Sequence, residues 1–453
     1  MYRRRSLAGP VVLIVLGLIF LLGNLGYVAW GRLGYLFARY WPVLIILWGL
    51  IKLAEHYDAQ RRGYHPRGFG FGGVMFLIFL VILGLGASSA WHYRGPIGDA
   101  IGTLPDDEPG FTIFGTPYNY TDELQQAFPA GASLRVVSDR GDVRLVPWDE
   151  NTIKVSVQKK VIADSQNQAD KVNTATKPTI TVAGDQVTVN ANTAGASGNH
   201  RVDTDLEIYL PRKAAADIAT ARGKVQAHDR TGDLKISNSH GDVEVDGIQG
   251  SVSVSLRGGS VRADNVRGDF SLNGRVNDVT IENVQGSVRL TGDFFGTTRL
   301  AKVANSVHFQ SSRTDMEMAK LDGDLVMESG DLRASSLAGP TRVITRSKDI
   351  RLNDFSGNVH IEDNNSDIEL TPGKLPLGNI QITNRRGRIQ LVLPANAAFQ
   401  LDAHASRGEI SSDFPGLNIE SRAHDSTATG AIGSGGPQIR LSTERGDIEI
   451  RKG

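Results

Sequence analysis

The chain has 453 residues, 49 Lys/Arg against 49 Asp/Glu and no cysteine, so disulfides, thiolate zinc sites, c-type haem attachment and cysteine nucleophiles are excluded. The neutral total hides a split. Residues 1–96 carry ten Lys/Arg against Glu55 and Asp58, a balance of +8, which leaves −8 for the rest. A basic, apolar anchor joined to an acidic soluble domain fits that split, and nucleic acid does not fit as the domain's partner.

Residues 1–94 read as an α-helical membrane anchor. Arg3, Arg4 and Arg5 precede an apolar run at 7–30 that is too long for a signal-peptide core and lacks a small-x-small cleavage site after it. A second segment at 36–54 reaches spanning length if Arg39 and Lys52 snorkel at its ends; the alternative is a re-entrant or interfacial helix. The third, at 69–91, holds 23 residues without a charge. With the Arg3–Arg5 cluster and the cluster of Arg61, Arg62 and Arg67 both held in the cytoplasm, three spans place the N-terminus inside and everything from residue 95 outside the cytoplasm. The expected location is a bacterial cell (inner) membrane, with the lipid bilayer as the partner of the helices. "GFGFGG" at 68–73 follows no strand and leads into a span, so it is a flexible connection and not a nucleotide loop.

Residues 95–130, rich in Pro, Gly and acid, read as a juxtamembrane linker. From 131 to 222 the texture alternates, as in "SLRVVSDRGDVRLVPWD" and "DTDLEIYLP", and predicts strands. Within it "DSQNQADKVNTAT" is a short helix or a loop.

From residue 223 to 391 the chain keeps a nine-residue beat: Gly223, Gly232, Gly241, Gly250, Gly259, Gly268, Asn277 and Gly286. One ten-residue step leads to Gly296, Asn305, Thr314 and Gly323, and one seven-residue step to Gly330, Gly339, Lys348, Gly357 and Ser366. Two and four residues after each beat stand apolar pairs such as Leu234/Ile236, Val279/Ile281, Met316/Met318 and Ile368/Leu370. Residues two apart on a strand share a face, so each beat is one short strand with two side chains inward. A third apolar residue, seven after the beat, occurs only in alternate units (Ile248, Val266, Val284, Val303, Leu321, Leu337, Phe355). The true period is therefore about 18, with two strands per coil, and neighbouring coils must stack to bury a shared column. The predicted fold is all-β: a parallel β-solenoid of about 18-residue two-strand coils, closed by a C-terminal β cap at 392–453.

Arg-Gly-Asp occurs at 140–142, 267–269 and 445–447, and many animal receptors bind that tripeptide. All three copies precede strands, and other units carry Gly-Asp behind a different residue (Thr231-Gly232-Asp233, His240-Gly241-Asp242). The repeat itself produces the motif: Gly supplies a positive φ at the corner, and Asp bonds back to its own backbone.

Many polysaccharide lyases and hydrolases are β-helices, with acids and bases gathered on one outward face. Here the outward acids Glu244, Glu282, Glu317, Glu362 and Glu369 are spread along the repeat and read as a solvated face. His308 and His360 fall on different coils, without metal-ligand spacing. The corner residues Asp233, Asp242, Asp269, Asp324 and Asp331 lack the extra glycines of calcium-binding nonapeptides. No Walker loop, Gly-x-Ser-x-Gly elbow or His-Glu-x-x-His is present. No catalytic, cofactor-binding or metal residue is assigned.

Three stretches, "ASLRVVSDRGDVRLVPWDENTIKVSV", "LEIYLPRKAAADIATARGKVQA" and "LVLPANAAFQLDAHASRGEISSDF…IGSGGPQIRLSTERGDIEI", resemble the bacterial β-strand-repeat family labelled "putative adhesin", or toastrack, over some 320 residues. The segment "AGPVVLIVLGLIFLLGNLG…YWPVLIILWGLIKL" is similar to the LiaI/LiaF-like transmembrane domain, a family associated with envelope-stress systems. The resemblance implies a non-enzymatic envelope protein whose solenoid acts in sensing, signalling or interaction with a protein or glycan partner. A surface adhesin is the alternative, and a carbohydrate-active enzyme a third. Eight coils at ~4.8 Å reach only about 40 Å, adequate just above a membrane.

Overall fold

The computed structural model describes residues 116–193, 201–373 and 375–453. The three apolar segments at 7–30, 36–54 and 69–91 lie outside the described residues, among which no helix is long and apolar enough to cross a membrane. The chain divides into two compact units, Met1–Thr116 and Pro117–Gly453. The second unit is all-β with one helix, and its strands form two long, mostly parallel sheets.

Successive strands alternate between the sheets, and each pairs with the strand one coil away. In the first sheet Val243 lies beside Val261 and Val261 beside Val279; in the second Leu234 lies beside Val252 and Val252 beside Phe270. Each of these offsets is 18 residues, the spacing expected of the solenoid. The inward pairs from Leu234 to Leu370 are at most 4% exposed and fill one continuous, mainly apolar column. The third apolar position has a specific cause. Asn265, Asn283, Lys302, Ser336 and Asp354, each six after a beat, have φ between +52° and +55°. A left-handed residue breaks the two-residue alternation, so that the next side chain (Val266, Val284, Val303, Leu337, Phe355) turns inward instead of outward. The ten-residue step is a corner with one added residue; there Phe295 is 67% exposed.

One coil contradicts a uniformly parallel solenoid. Strand Val307–Gln310 pairs antiparallel with Thr314–Met318, and Thr298–Val303 antiparallel with Leu321–Met327. Leu321–Met327 then turns back onto Asp331–Leu337, also antiparallel, and Thr314–Met318 meets Thr341–Thr345 in the same way. Parallel pairing resumes beyond. The short loops "SSR" and "ESG" close as hairpins, with the Ser311 and Glu328 N–H groups donating to Thr314 O and Asp331 O. The seven-residue step marks the second hairpin. Met316, Met318, Leu325 and Met327 still point inward, because side-chain alternation is the same whichever way a strand runs.

The start of the unit comprises β1 (Thr116–Ala127), β2 (Ser133–Arg140), β3 (Val143–Trp148), β4 (Thr152–Ala163), helix α1 (Gln166–Ala175), β5 (Thr179–Ala183), β6 (Gln186–Asn190) and β7 (Arg201–Pro211). The expected linker is corrected by β1, an edge strand beside β4 on which Tyr118, Tyr120, Asp122 and Leu124 alternate with exposed neighbours. Helix α1 settles the helix-or-loop alternative; Ser165 caps its start, and the Thr176 hydroxyl donates to Val172 O at its end. Together β1, β4, β7 and α1 enclose a small second core of Val161, Ala163, Ala169, Val172 and Val202.

Both ends are closed by interior segments. The coil β2–β3 lies between β6–β7 and the coil of Ala216–Arg222 and Val225–Arg230. Likewise the final strands Gln438–Arg445 and Ile448–Lys452 slot between Ile380–Arg386/Ile389–Leu393 and Phe399–Ala405/Ile410–Ser412. Tucking the first and last coils inward hydrogen-bonds them on both sides. Short antiparallel strands such as β5 and Asn418–Arg422 are left at the edges of the second sheet, an arrangement that limits edge-to-edge aggregation.

Candidate interaction face

The corners show what Gly-Asp does. Asp233 Oδ1 accepts from Ser251 N, Asp242 Oδ1 from Ser260 N and Asp269 Oδ1 from Ser287 N, each at 2.8 Å. Each carboxylate therefore bonds the backbone of the next coil, 18 residues on, and not its own, as the sequence suggested. The other two tripeptide copies do the same: Asp142 Oδ1 accepts from Lys224 N at 2.7 Å and Asp447 Oδ1 from Glu409 N at 2.9 Å. Glycine stacks on glycine beside them. At Gly241, with φ +132°, a Cβ would stand 2.1 Å from Gly223 O; at Gly268 it would stand 2.6 Å from Gly250 C. The first position needs both the positive φ and the space, the second only the space.

Outward acids do meet across coils, though mostly not the ones singled out in the sequence. Asp246, Asp264 and Glu282 occupy the same position on three adjacent strands. Asn265 donates to Asp246 Oδ1 at 3.0 Å and Asn283 to Asp264 Oδ1 at 2.7 Å. The signal was the left-handed Asn one residue after each acid of the neighbouring coil. These acids sit on an open sheet face, without the water-excluding cleft that acid–base chemistry uses. Glu244 pairs with Lys224 at 2.7 Å, and hydrogen bonds from Lys224 and Gln226 hold its carboxyl below the usual range. Glu369 pairs with Arg351 and Glu362 with His360. His308 and His360 stay on separate strands. Among the described residues no group of three His, Asp or Glu side chains can hold a metal ion.

What remains is concave surface. Two troughs of about 690 and 700 Å³ follow the strand-entry corner of the second sheet and share Ser306. The first, from Ser133 to Ser306, is lined by serines with Asp217, Asp233, Asp269, Lys235 and Arg289. The second, from Ser306 to Arg440, carries Arg342, Arg440, His360 and Gln381 with Glu317 as its one acid. Its corner ladder is amide, not carboxylate. Asn358 Oδ1 accepts from Asn379 N at 2.9 Å and Asn379 Oδ1 from Gln438 N at 2.8 Å. Substituting Asn for Asp keeps the acceptor, removes the charge and adds an NH₂ donor. A donor-rich strip of Asn, Gln and Arg suits a polar, acceptor-bearing partner.

Residues 132–451 match the family model described as Toastrack DUF4097, and residues 8–98 match that of the LiaF transmembrane domain. Among solved structures the chain is similar to a "putative cell adhesion protein" from Clostridium sporogenes, with 12% identity over 74% of this chain and all of that one, at a TM-score of 0.18. It is also similar to a "putative adhesin" from Bacteroides fragilis, at 10% identity over 74% of this chain and 97% of the other, with a TM-score of 0.19. No curated protein matches.

Proposed function

Because the chain belongs to the Toastrack family and carries a LiaF transmembrane domain, it is membrane-associated, and we propose that it is a non-enzymatic cell-envelope protein whose solenoid is an interaction or sensing module. In this reading residues 1–94 cross a bacterial inner membrane three times as helices, with the N-terminus cytoplasmic and the solenoid extracytoplasmic. In the same reading the solenoid engages an envelope protein or glycan and serves an envelope-stress response, a role that the LiaF-type anchor supports. The observation that carries the proposal is the amide- and arginine-lined trough from Ser306 to Arg440. It offers hydrogen-bond donors along several coils, and its one acid–base pair, His360 with Glu362, lies on an open sheet face without a water-excluding cleft, which favours holding a partner over turning it over.

Crosslinking in intact membranes followed by capture of the full chain tests this. The expected result is a partner recovered with the native chain and lost when Arg342 and Arg440 are both replaced by Ala. Undiminished recovery would remove the trough from the account, and turnover of a glycan panel would replace binding with catalysis. Alkaline phosphatase fused at Gly453 should be active; activity of a cytoplasmic reporter there would refute the three-span topology.

A further inference from the structure

The inner face of the second sheet carries buried polar side chains in register: Ser138, Thr220 and Asn238 on three early strands, and a second ladder further along. At its entry Thr314 and Thr345 hydroxyls meet at 3.2 Å. Next come Asp363, Asn384 and Thr443, in register on three adjacent strands and 4%, 2% and 1% exposed. Three of their oxygens, Asp363 Oδ1, Asn384 Oδ1 and Thr443 Oγ1, are buried without a hydrogen-bond partner among the described residues. Such groups are costly, and native proteins rarely leave several of them together.

Asn384 Oδ1 can only accept, and Asp363 Oδ1 does the same when its carboxyl is ionised. Asn384 Nδ2 donates to Ser366 O at 2.8 Å, which fixes the amide orientation and leaves Oδ1 as an acceptor. The other oxygen of Asp363 takes two donors, Asn365 N at 2.6 Å and Ser366 Oγ at 2.8 Å, the pattern of an ionised carboxylate. Lys348, whose backbone N–H lies beside this carboxyl, spends its ammonium on the carbonyls of Glu328 and Ser329. Adjacent strands lie ~4.8 Å apart, and calcium–oxygen distances are about 2.4 Å, so an ion midway between two rungs reaches an oxygen of each. We propose that Asp363 and Asn384 form a binding site for a hard, oxygen-seeking cation of the calcium class, with Thr443, one rung further on, reaching it through water that enters at the exposed Asn364–Asn365 corner. Burial works against the carboxylate, pushing its proton affinity up, and the bonds from Ser366 and Asn365 work the other way. A cation relieves the same penalty that a proton would. This site is distinct from the Gly-Asp corners, where Asp233, Asp242 and Asp269 are already bonded to the neighbouring coil.

Thermal melts of the full chain in detergent, followed by β-sheet circular dichroism in EDTA and in millimolar calcium chloride, test the site. One carboxylate and few ligands imply affinity in the millimolar class, so ~10 mM calcium should raise the midpoint by about 3 °C. Asp363→Asn should abolish that rise and still fold. Asn384→Asp, with a second carboxylate, should lower the midpoint in EDTA and enlarge the calcium response. An equal response in native chain and Asp363→Asn would overturn the proposal, because the ion would then bind elsewhere. So would no calcium response in the native chain, whether or not acid stabilises it; acid stabilisation lost in Asp363→Asn would assign the position to a proton.

Discussion

The coils from Leu234 to Val303 and the single reversed coil from Thr314 to Met327 solve one packing problem in two ways. Both send two side chains per strand into the same column. The parallel coils reach the opposite sheet through corners where glycine backbones nearly touch and an aspartate ties one coil to the next. The reversed coil turns on three-residue hairpins and dispenses with that device. At Gly330, in its second hairpin, a Cβ would meet nothing within 4 Å. Burial is thus set by the period of two, while direction is set at the turns.

The most damaging test of the shared part is Val279→Asp. Val279 is fully buried, and an unpaired carboxylate there should cost several kcal/mol or force protonation. Thr280→Asp, on the half-exposed outer side, should stay within about 0.5 kcal/mol. Urea melts of the full chain in detergent, monitored by hydrogen exchange in these strands, give both numbers; equal tolerance would place the strand in the wrong register.

The contrast between corners is sharpened by glycine. Gly241→Ala combines a φ of +132° with a contact at 2.1 Å, and should cost about 2–4 kcal/mol. Gly330→Ala should change stability by no more than about 0.5 kcal/mol. Comparable losses in the two melts would erase the distinction drawn here.

A third comparison concerns Arg230, which lies in register with Ile248 at the third inward position. It is 2% exposed, its Nη1 has no partner, and burial pulls its guanidinium down to about 10. Among the described residues the only hydrogen bond of its guanidinium runs from Nη2 to Ala214 O at 2.6 Å. Arg230→Met should therefore be neutral or stabilising, by about 1 kcal/mol, because an uncompensated buried charge is exchanged for the apolar side chain its neighbours have. A loss above about 2 kcal/mol in the same melts would mean the charge has a partner that matters.

The smallest effects belong to the corner aspartates. Asp269→Ala should cost about 1 kcal/mol through one lost bond to Ser287 N. Asp269→Asn should cost less, since Asn358 and Asn379 already fill equivalent corners. Neither substitution should alter adhesion to receptor-bearing cells, and a selective loss in a folded variant would restore the Arg-Gly-Asp ligand.

Much of this architecture was legible because the physics behind it is periodic. Inward residues and the 18-residue coil followed from apolar pairs at fixed offsets and from the recurring glycines, while the resemblance to the family rested on three particular stretches of sequence. The reversal was not legible, because Met316 and Met318 alternate identically in either direction; only the seven-residue step before Gly330 hinted at it. Strand β1 was hidden by its Pro117 and its mixed Tyr and Asp face, which bury only half. The trough was missed because it is made by position: Asn358 and Asn379 look like ordinary turn residues until the coils are stacked. The column of Asp246, Asp264 and Glu282 was missed for the same reason.

The reversed coil can be tested directly because the chain has no native cysteine. In the antiparallel register His308 faces Glu317, whereas a uniformly parallel solenoid would set His308 beside Val326, 18 residues on. Facing residues in antiparallel strands have Cα atoms about 4.5–5.5 Å apart, within reach of a disulfide. Oxidation of the His308→Cys/Glu317→Cys double variant should give an internal crosslink under mild conditions, and His308→Cys/Val326→Cys should give none. Crosslinking of the second pair and not the first would contradict the fold described here.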